Sequence, residues 1–181
     1  MKDWRLARSF KDLIKLNIEF LRGNIWASPI QSGPLDDESL PLVEMLIALN
    51  SRGLFTTGSQ PGGFWEGSKH NAPKRAITRQ RAFVMGYCSK PDHARLSSIG
   101  EARFFIDPTD VRTTQVRLPP KTEWKTLSGL GRSSRKREDV RWKKFLHPDA
   151  YAELAASAYF IGVERAWGSN ELWGALWAGL P

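Results

Sequence analysis

Apolar and polar positions alternate along residues 9–22, SFKDLIKLNIEFLR, with a helical period. Phe10, Leu13, Ile14, Leu16, Ile18, Phe20 and Leu21 make one broad stripe. Ser9 can cap the start and Gly23 can end it, so the pattern predicts an amphipathic helix. A second helix is predicted in LDDESLPLVEMLIALNSRG, residues 35–53. Its apolar face is Leu42, Val43, Leu46, Ile47 and Leu49, and Asp36 or Asp37 serves as N-cap. Pro41 falls in the first turns, where a missing N–H costs little, and Asn50 and Gly53 form the stop.

Shorter apolar runs predict strands at Leu54–Thr57, 79–89 (RQRAFVMGYCS), 102–106 (ARFFI), 113–119 (TTQVRLP) and 158–164 (AYFIGVE). A helix is expected from Pro148 to Ala158. Another follows Ser169 or Asn170 and carries Leu172, Trp173, Leu176 and Trp177. Residues 61–78 and 125–144 are expected as long loops or insertions. The class is α+β, or mixed α/β: one domain with a central mixed sheet of about four to six strands flanked by helices.

The chain has 181 residues, 41% of them hydrophobic, enough for one domain with a real core. No apolar run of about 18 residues or more is present and the N-terminus lacks the apolar stretch of a signal peptide, so a cytoplasmic protein without membrane contact is expected. A single cysteine, Cys88, excludes an internal disulfide and a Cys-rich zinc site. His70, His93 and His147 make no metal-ligand spacing, so no metal and no required cofactor is expected. The net charge of +8 is concentrated in residues 132–144, RSSRKREDVRWKK, seven Lys or Arg against two acids. Such a block is most simply a solvated segment. Its rival is a nucleic-acid or anionic-partner surface built on Arg132, Arg135, Lys136 and Arg137.

The candidate chemistry lies in residues 49–63, LNSRGLFTTGSQPGG. A strand end there carries Thr56, Thr57, Ser59 and Gln60 before Pro61-Gly62-Gly63. These residue types also build ordinary turns. Neither GxxxxGK[ST] nor GxGxxG is present, so the segment is no phosphate cradle. Uncharged hydroxyls and amides at a strand end suit a neutral or zwitterionic ligand. Glu38, in the acidic run Asp36-Asp37-Glu38, either complements a helix dipole or faces a ligand cation. Trp65, beside Phe64 in the following loop, either packs on the protein body or stacks on a flat base. No nucleophile–base set assembles from spacing.

Residues 33–61, GPLDDESLPLVEMLIALNSRGLFTTGSQP, resemble the C-terminal regulatory domain of eukaryotic-type methylenetetrahydrofolate reductase. That domain carries PL-x-x-E-[ST], a helix, then N-x-x-G-x-[LIF]-T-x-[NG]-S-Q-P. The segment RQRAFVMGYCS is similar to its next strand, and AYFIGVERAWGSNELWGAL to its closing strand, acidic turn and N-x-L-W helix. SFKDLIKLNIEFLRGNI is similar to its opening helix. The likeness covers residues 9–89 and 145–178 and extends to small stand-alone proteins of actinobacteria and their phages. The reductase's catalytic barrel has no counterpart. What the resemblance implies is a site for S-adenosylmethionine or S-adenosylhomocysteine, lined by Glu38 and Ser39 with Thr56 and Ser59 opposite. Gln60 and Trp65 lie beside it, and Thr122, or else Thr113 and Thr114, would supply the later threonines. Ser39 stands where the family has Thr, and Gly58 where it often has Asn. The function expected is a sensor, regulatory or sequestering protein for such a ligand, with a possible protein partner. An enzyme acting on an adenosyl nucleotide in the same pocket is the alternative.

Overall fold

The computed structural model describes residues 2–67, 75–100, 104–107 and 109–179. The first predicted helix forms as α2 (Phe10–Leu21), following a short α1 (Lys2–Leu6). Ser9 caps α2 by accepting a hydrogen bond from the Asp12 amide at 3.2 Å. The second begins later than its apolar pattern suggests. A 3-10 turn, Leu40–Leu42, holds Pro41, and α3 spans Val43–Ser51. Neither Asp36 nor Asp37 caps it, because residues 36–39 close a turn of their own through Ser39 N–H to Asp36 C=O at 2.8 Å.

The strands are β1 (Phe55–Gln60), β2 (Gly63–Glu66), β3 (Ile77–Gln80), β4 (Phe83–Cys88), β5 (Phe104–Ile106), β6 (Asp110–Arg117), β7 (Lys125–Gly131) and β8 (Ala158–Glu164). The remaining helices are α4 (Lys90–Gly100), α5 (Arg132–Phe145), α6 (Pro148–Ala156) and α7 (Glu171–Gly179). The class is mixed α/β as expected, but the central mixed sheet is replaced by two four-stranded sheets. Their orders are β1-β4-β8-β5 and β2-β3-β6-β7, with antiparallel pairing throughout.

The run RQRAFVMGYCS is therefore not one strand. It breaks at Arg81-Ala82, where the chain passes from the second sheet to the first. Arg81 N–H donates to Thr113 C=O in one sheet, and Ala82 C=O accepts from Glu164 N–H in the other. The two expected loops are also corrected. Residues 61–78 contain β2 and the start of β3, although 68–74 lie outside the described residues, and 125–144 form β7 and most of α5.

Side chains alternate across the first sheet as strand geometry requires. Leu54, Val84, Cys88 and Phe160 face one core with Leu46, Leu49, Leu96 and Leu172 of α3, α4 and α7. Phe55 and Tyr87 face the other, with Trp4, Leu13, Trp142 and Leu154 of α1, α2, α5 and α6. This sheet thus has helices on both faces. Among the described residues no helix is long and apolar enough to cross a membrane.

Candidate functional site

The start of β1 is tied to two helices through buried amides. Asn50, inside α3 rather than at its stop, donates to Thr56 Oγ1 at 2.7 Å and to Leu46 C=O at 2.7 Å. Asn17 of α2 donates to Asn50 Oδ1 at 3.0 Å and to Thr56 C=O at 2.8 Å. Immediately afterwards β1 bulges. Thr56 pairs with Gly86 and Gly58 with Met85, leaving Thr57 as the extra residue. A bulge re-aims side chains, and here Thr56, Thr57, Gly58 and Ser59 all line one cavity although strict alternation would send every second one away. Gly86 allows the close approach, since a Cβ there would lie 2.1 Å from Phe55 C=O.

This cavity, ≈ 210 Å³, lies between β1, α2 and the segment 28–39. That segment is pinned by the Trp4 indole donating to Ala27 C=O at 3.0 Å and by Arg141 of α5 donating to Ile30 C=O at 2.9 Å. Its lining mixes uncharged polar side chains, Asn17, Ser28, Gln31, Ser39, Thr57 and Ser59, with apolar ones that include Phe20, Leu46 and Phe83. Ser39 and Ser59 meet across it, Oγ to Oγ at 3.4 Å. Among the described residues Asp36 is its one charged lining residue, and no Lys, Arg or His contributes.

A second cavity, ≈ 270 Å³, shares Ile30 and Thr57 with the first. Its remaining lining is Met85, Leu130 and three residues of α5: Arg137, Glu138 and Arg141. Small-molecule sites commonly occupy about 300–1,000 Å³, so each cavity alone is small while the two together fall in that range. Glu138 is only 7% exposed. Its Oε1 accepts from the Tyr159 hydroxyl at 3.3 Å, and its Oε2 is buried with no hydrogen-bond partner. Burial lifts this carboxyl to about 7, and Asp139 adds to the rise. Thr57, Trp142 and Tyr159 temper it, although Thr57 and Trp142 do not meet hydrogen-bond geometry with Oε2.

Of the sequence-predicted set, Ser39, Thr56 and Ser59 come together in the first cavity. Glu38 is not among the residues lining it, and its Oε2 accepts from Gln80 Nε2 at 3.1 Å. Gln60 is a strut between the sheets. Its Nε2 donates to Arg81 C=O at 3.0 Å, and its Oε1 accepts from Thr114 Oγ1 at 3.4 Å. Trp65 sits on β2 in the second sheet with its ring over Gly63, away from this cavity. Thr122 is exposed in the segment before β7. Thr113 bonds Ser128, Oγ to Oγ at 3.0 Å, within the second sheet.

The basic set divides too. Arg135 lies 3.6 Å from Asp139 and donates to Ala155 C=O at 3.4 Å. Lys136 and Arg137 are exposed, Arg137 also lining the second cavity, and the Arg132 side chain lies outside the described residues. Among the described residues no cluster of three or more His, Cys, Asp or Glu could hold a metal. Cys88 is buried and its thiol is pushed up to about 12, chiefly by burial, so it is no nucleophile.

Asn17 and Glu138 are not among the residues the sequence points to, and Thr57 is there only as one of the polar strand-end residues. Asn17 had a signal, since it lies four residues after Leu13 and three before Phe20, on the apolar stripe itself. Thr57 depends on the bulge, and Glu138 on the packing of α5, neither of which has a local signature. Over residues 1–181 the chain belongs to the family described as a domain of unknown function, DUF6919. No curated protein matches it.

Proposed function

We propose that this chain is a cytoplasmic binding protein for S-adenosylmethionine or S-adenosylhomocysteine, acting as a sensor, regulator or sequestering partner. The observation that carries the proposal is the first cavity, which brings the hydroxyls of Thr57 and Ser59 on β1 and of Ser39 together with the amides of Asn17 and Gln31 and the rings of Phe20 and Phe83. A nucleoside combines matching chemistry, a flat ring that packs on apolar surface and hydroxyls that need hydrogen-bond partners. The lack of any lining cation disfavours a phosphate there, in keeping with an adenosyl group that carries none. Ser39, Thr56 and Ser59, the positions that resemble the reductase regulatory domain, fall in this cavity and support the same ligand.

Isothermal titration of the full chain with S-adenosylmethionine, S-adenosylhomocysteine and ATP tests it. Both adenosyl amino acids, the sulfonium and the thioether, should saturate and be recovered intact by chromatography, and ATP should not bind. Ser59→Ala should lower affinity about tenfold, the typical worth of one hydrogen bond to a bound ligand. No binding of either compound, or affinity unchanged from the parent in both Ser39→Ala and Ser59→Ala, would reject the site. Recovery of altered ligand would instead make the protein an enzyme acting on adenosyl compounds.

A further inference from the structure

Glu138 is the one carboxylate on α5 that is held inside the protein, and half of it has no partner. An oxygen of this kind, buried and unbonded, costs free energy that folding alone does not recover. It lines a cavity that also has two arginines, Arg137 and Arg141, among its lining residues. Arg137 and Arg141 are four residues apart, so they stand side by side on one face of α5. Arg141 uses Nη1 on Ile30 C=O, which itself belongs to a residue of the same lining, and its guanidinium has further donors beyond that bond. An anion alone would meet Glu138, and a cation alone would meet the two arginines. A group with both charges answers all three side chains. Met85 and Leu130 complete the lining with apolar surface suited to a short aliphatic or thioether chain.

We infer that this second cavity is a receptor for an α-amino-acid group, with its ammonium on Glu138, its carboxylate on Arg137 and Arg141, and its chain passing over Thr57 into the first cavity. The inference rests on the adenosyl reading of that first cavity and deepens it. It divides the ligand, the nucleoside between α2 and β1 and the amino acid under α5. Arg137, Glu138 and Arg141 all lie in residues 90–144, which the resemblance to the reductase domain does not reach. The same assignment gives the basic segment an internal role, since two of its arginines turn to the ligand.

The test compares S-adenosylhomocysteine with 5′-methylthioadenosine, which keeps the nucleoside and thioether but lacks the amino-acid group. Titrated into the full chain, S-adenosylhomocysteine should bind at least about tenfold more tightly, the worth of one charge-assisted contact. Glu138→Gln and the exposed Arg137→Ala should each weaken S-adenosylhomocysteine about tenfold more than they weaken 5′-methylthioadenosine. Equal affinity of the two compounds, or equal weakening of both by each variant, overturns this inference and leaves the nucleoside site standing. Failure of both compounds to bind overturns the adenosyl reading and this inference with it.

Discussion

The two sheets are built from different materials. The first, β1-β4-β8-β5, is covered on both faces by apolar side chains from helices. At the centre of one face Phe55 meets Trp4, Phe10, Tyr87 and Trp142, with ring centroids 5.2–6.4 Å away. In the second, β2-β3-β6-β7, the apolar cluster around Ala76 and Val116 is small. Its outer side is held instead by a ladder of guanidiniums and rings. Arg79 lies 4.1 Å from the Trp124 centroid and 4.4 Å from that of Trp167. Arg81 is 4.3 Å from Trp167, and Arg117 is 5.0 Å from Trp124. Arg79 also donates to Gln115 Oε1 at 2.7 Å from β3 to β6. The two sheets also share an apolar cluster, Val111 of β6 and Leu130 of β7 with Ile161 and Val163 of β8, so the difference teaches that apolar burial positions the cavities and joins the sheets, while polar stacking braces the second sheet.

The largest effect should come from the first sheet. Phe55→Ala removes a fully buried ring with four aromatic partners, and such truncations cost about 3–5 kcal/mol. Urea denaturation followed by circular dichroism should show the whole protein unfolding at much lower denaturant. A loss no greater than that from a ladder residue would erase the distinction between the sheets.

Glu138 sharpens the comparison, because it places a carboxyl on the apolar side of the first sheet. Its folded value, about 7, lies above the ordinary 4.5. Between those values the unfolded chain has released the proton and the folded chain keeps it. Stability contributed by this group therefore falls as pH rises through that window, and above pH 7 the full penalty is in place. Asp139 on the same helix, Tyr159 on β8, Tyr87 on β4, and Arg137 and Arg141 along the cavity are charged or titratable groups around it. Glu138→Gln should be more stable than the parent above pH 7, by on the order of 3 kcal/mol at most, and the gap should close toward pH 4. A gap independent of pH would show that Glu138 keeps its charge at all these values.

This contrast also explains what could be seen in the sequence. Helix α2, strand β8 and helices α6 and α7 pack on the first sheet, so their apolar spacing matches the structure closely. Helix α5 was expected as a loop because its run holds few apolar residues. Trp142 is buried, but Val140 is 71% exposed and Glu138 takes an inward position. Strand β7 and the break between β3 and β4 were missed because the second sheet is filled by Thr, Gln and Arg, which carry no period in hydrophobicity. In the site, Thr56 and Ser59 are legible as part of a polar strand end, while Ser39 opposite them follows from the resemblance to the reductase domain. Gln60 looked the same in sequence, yet its amide joins the two sheets. Only the three-dimensional path of the chain separates a lining amide from a bracing one.

The smallest expected effect is also the most local. Trp167 is stacked by Arg79 on β3 and by Arg81 just beyond it, so Trp167→Ala removes two cation–π contacts from the junction of the sheets. Each such contact is worth about 0.5–1 kcal/mol at a partly exposed position, which sets a total near 1–2 kcal/mol. Because the ladder does not enter the cores around Phe55 or Leu49, the loss should appear as easier opening of the second sheet before global unfolding. Hydrogen exchange should then accelerate at the amides of β3 and β6 while those of β4 and β8 keep their protection. Uniform acceleration across all four strands would mean that the two sheets open as one unit, and that the ladder is as central to the fold as the aromatic core.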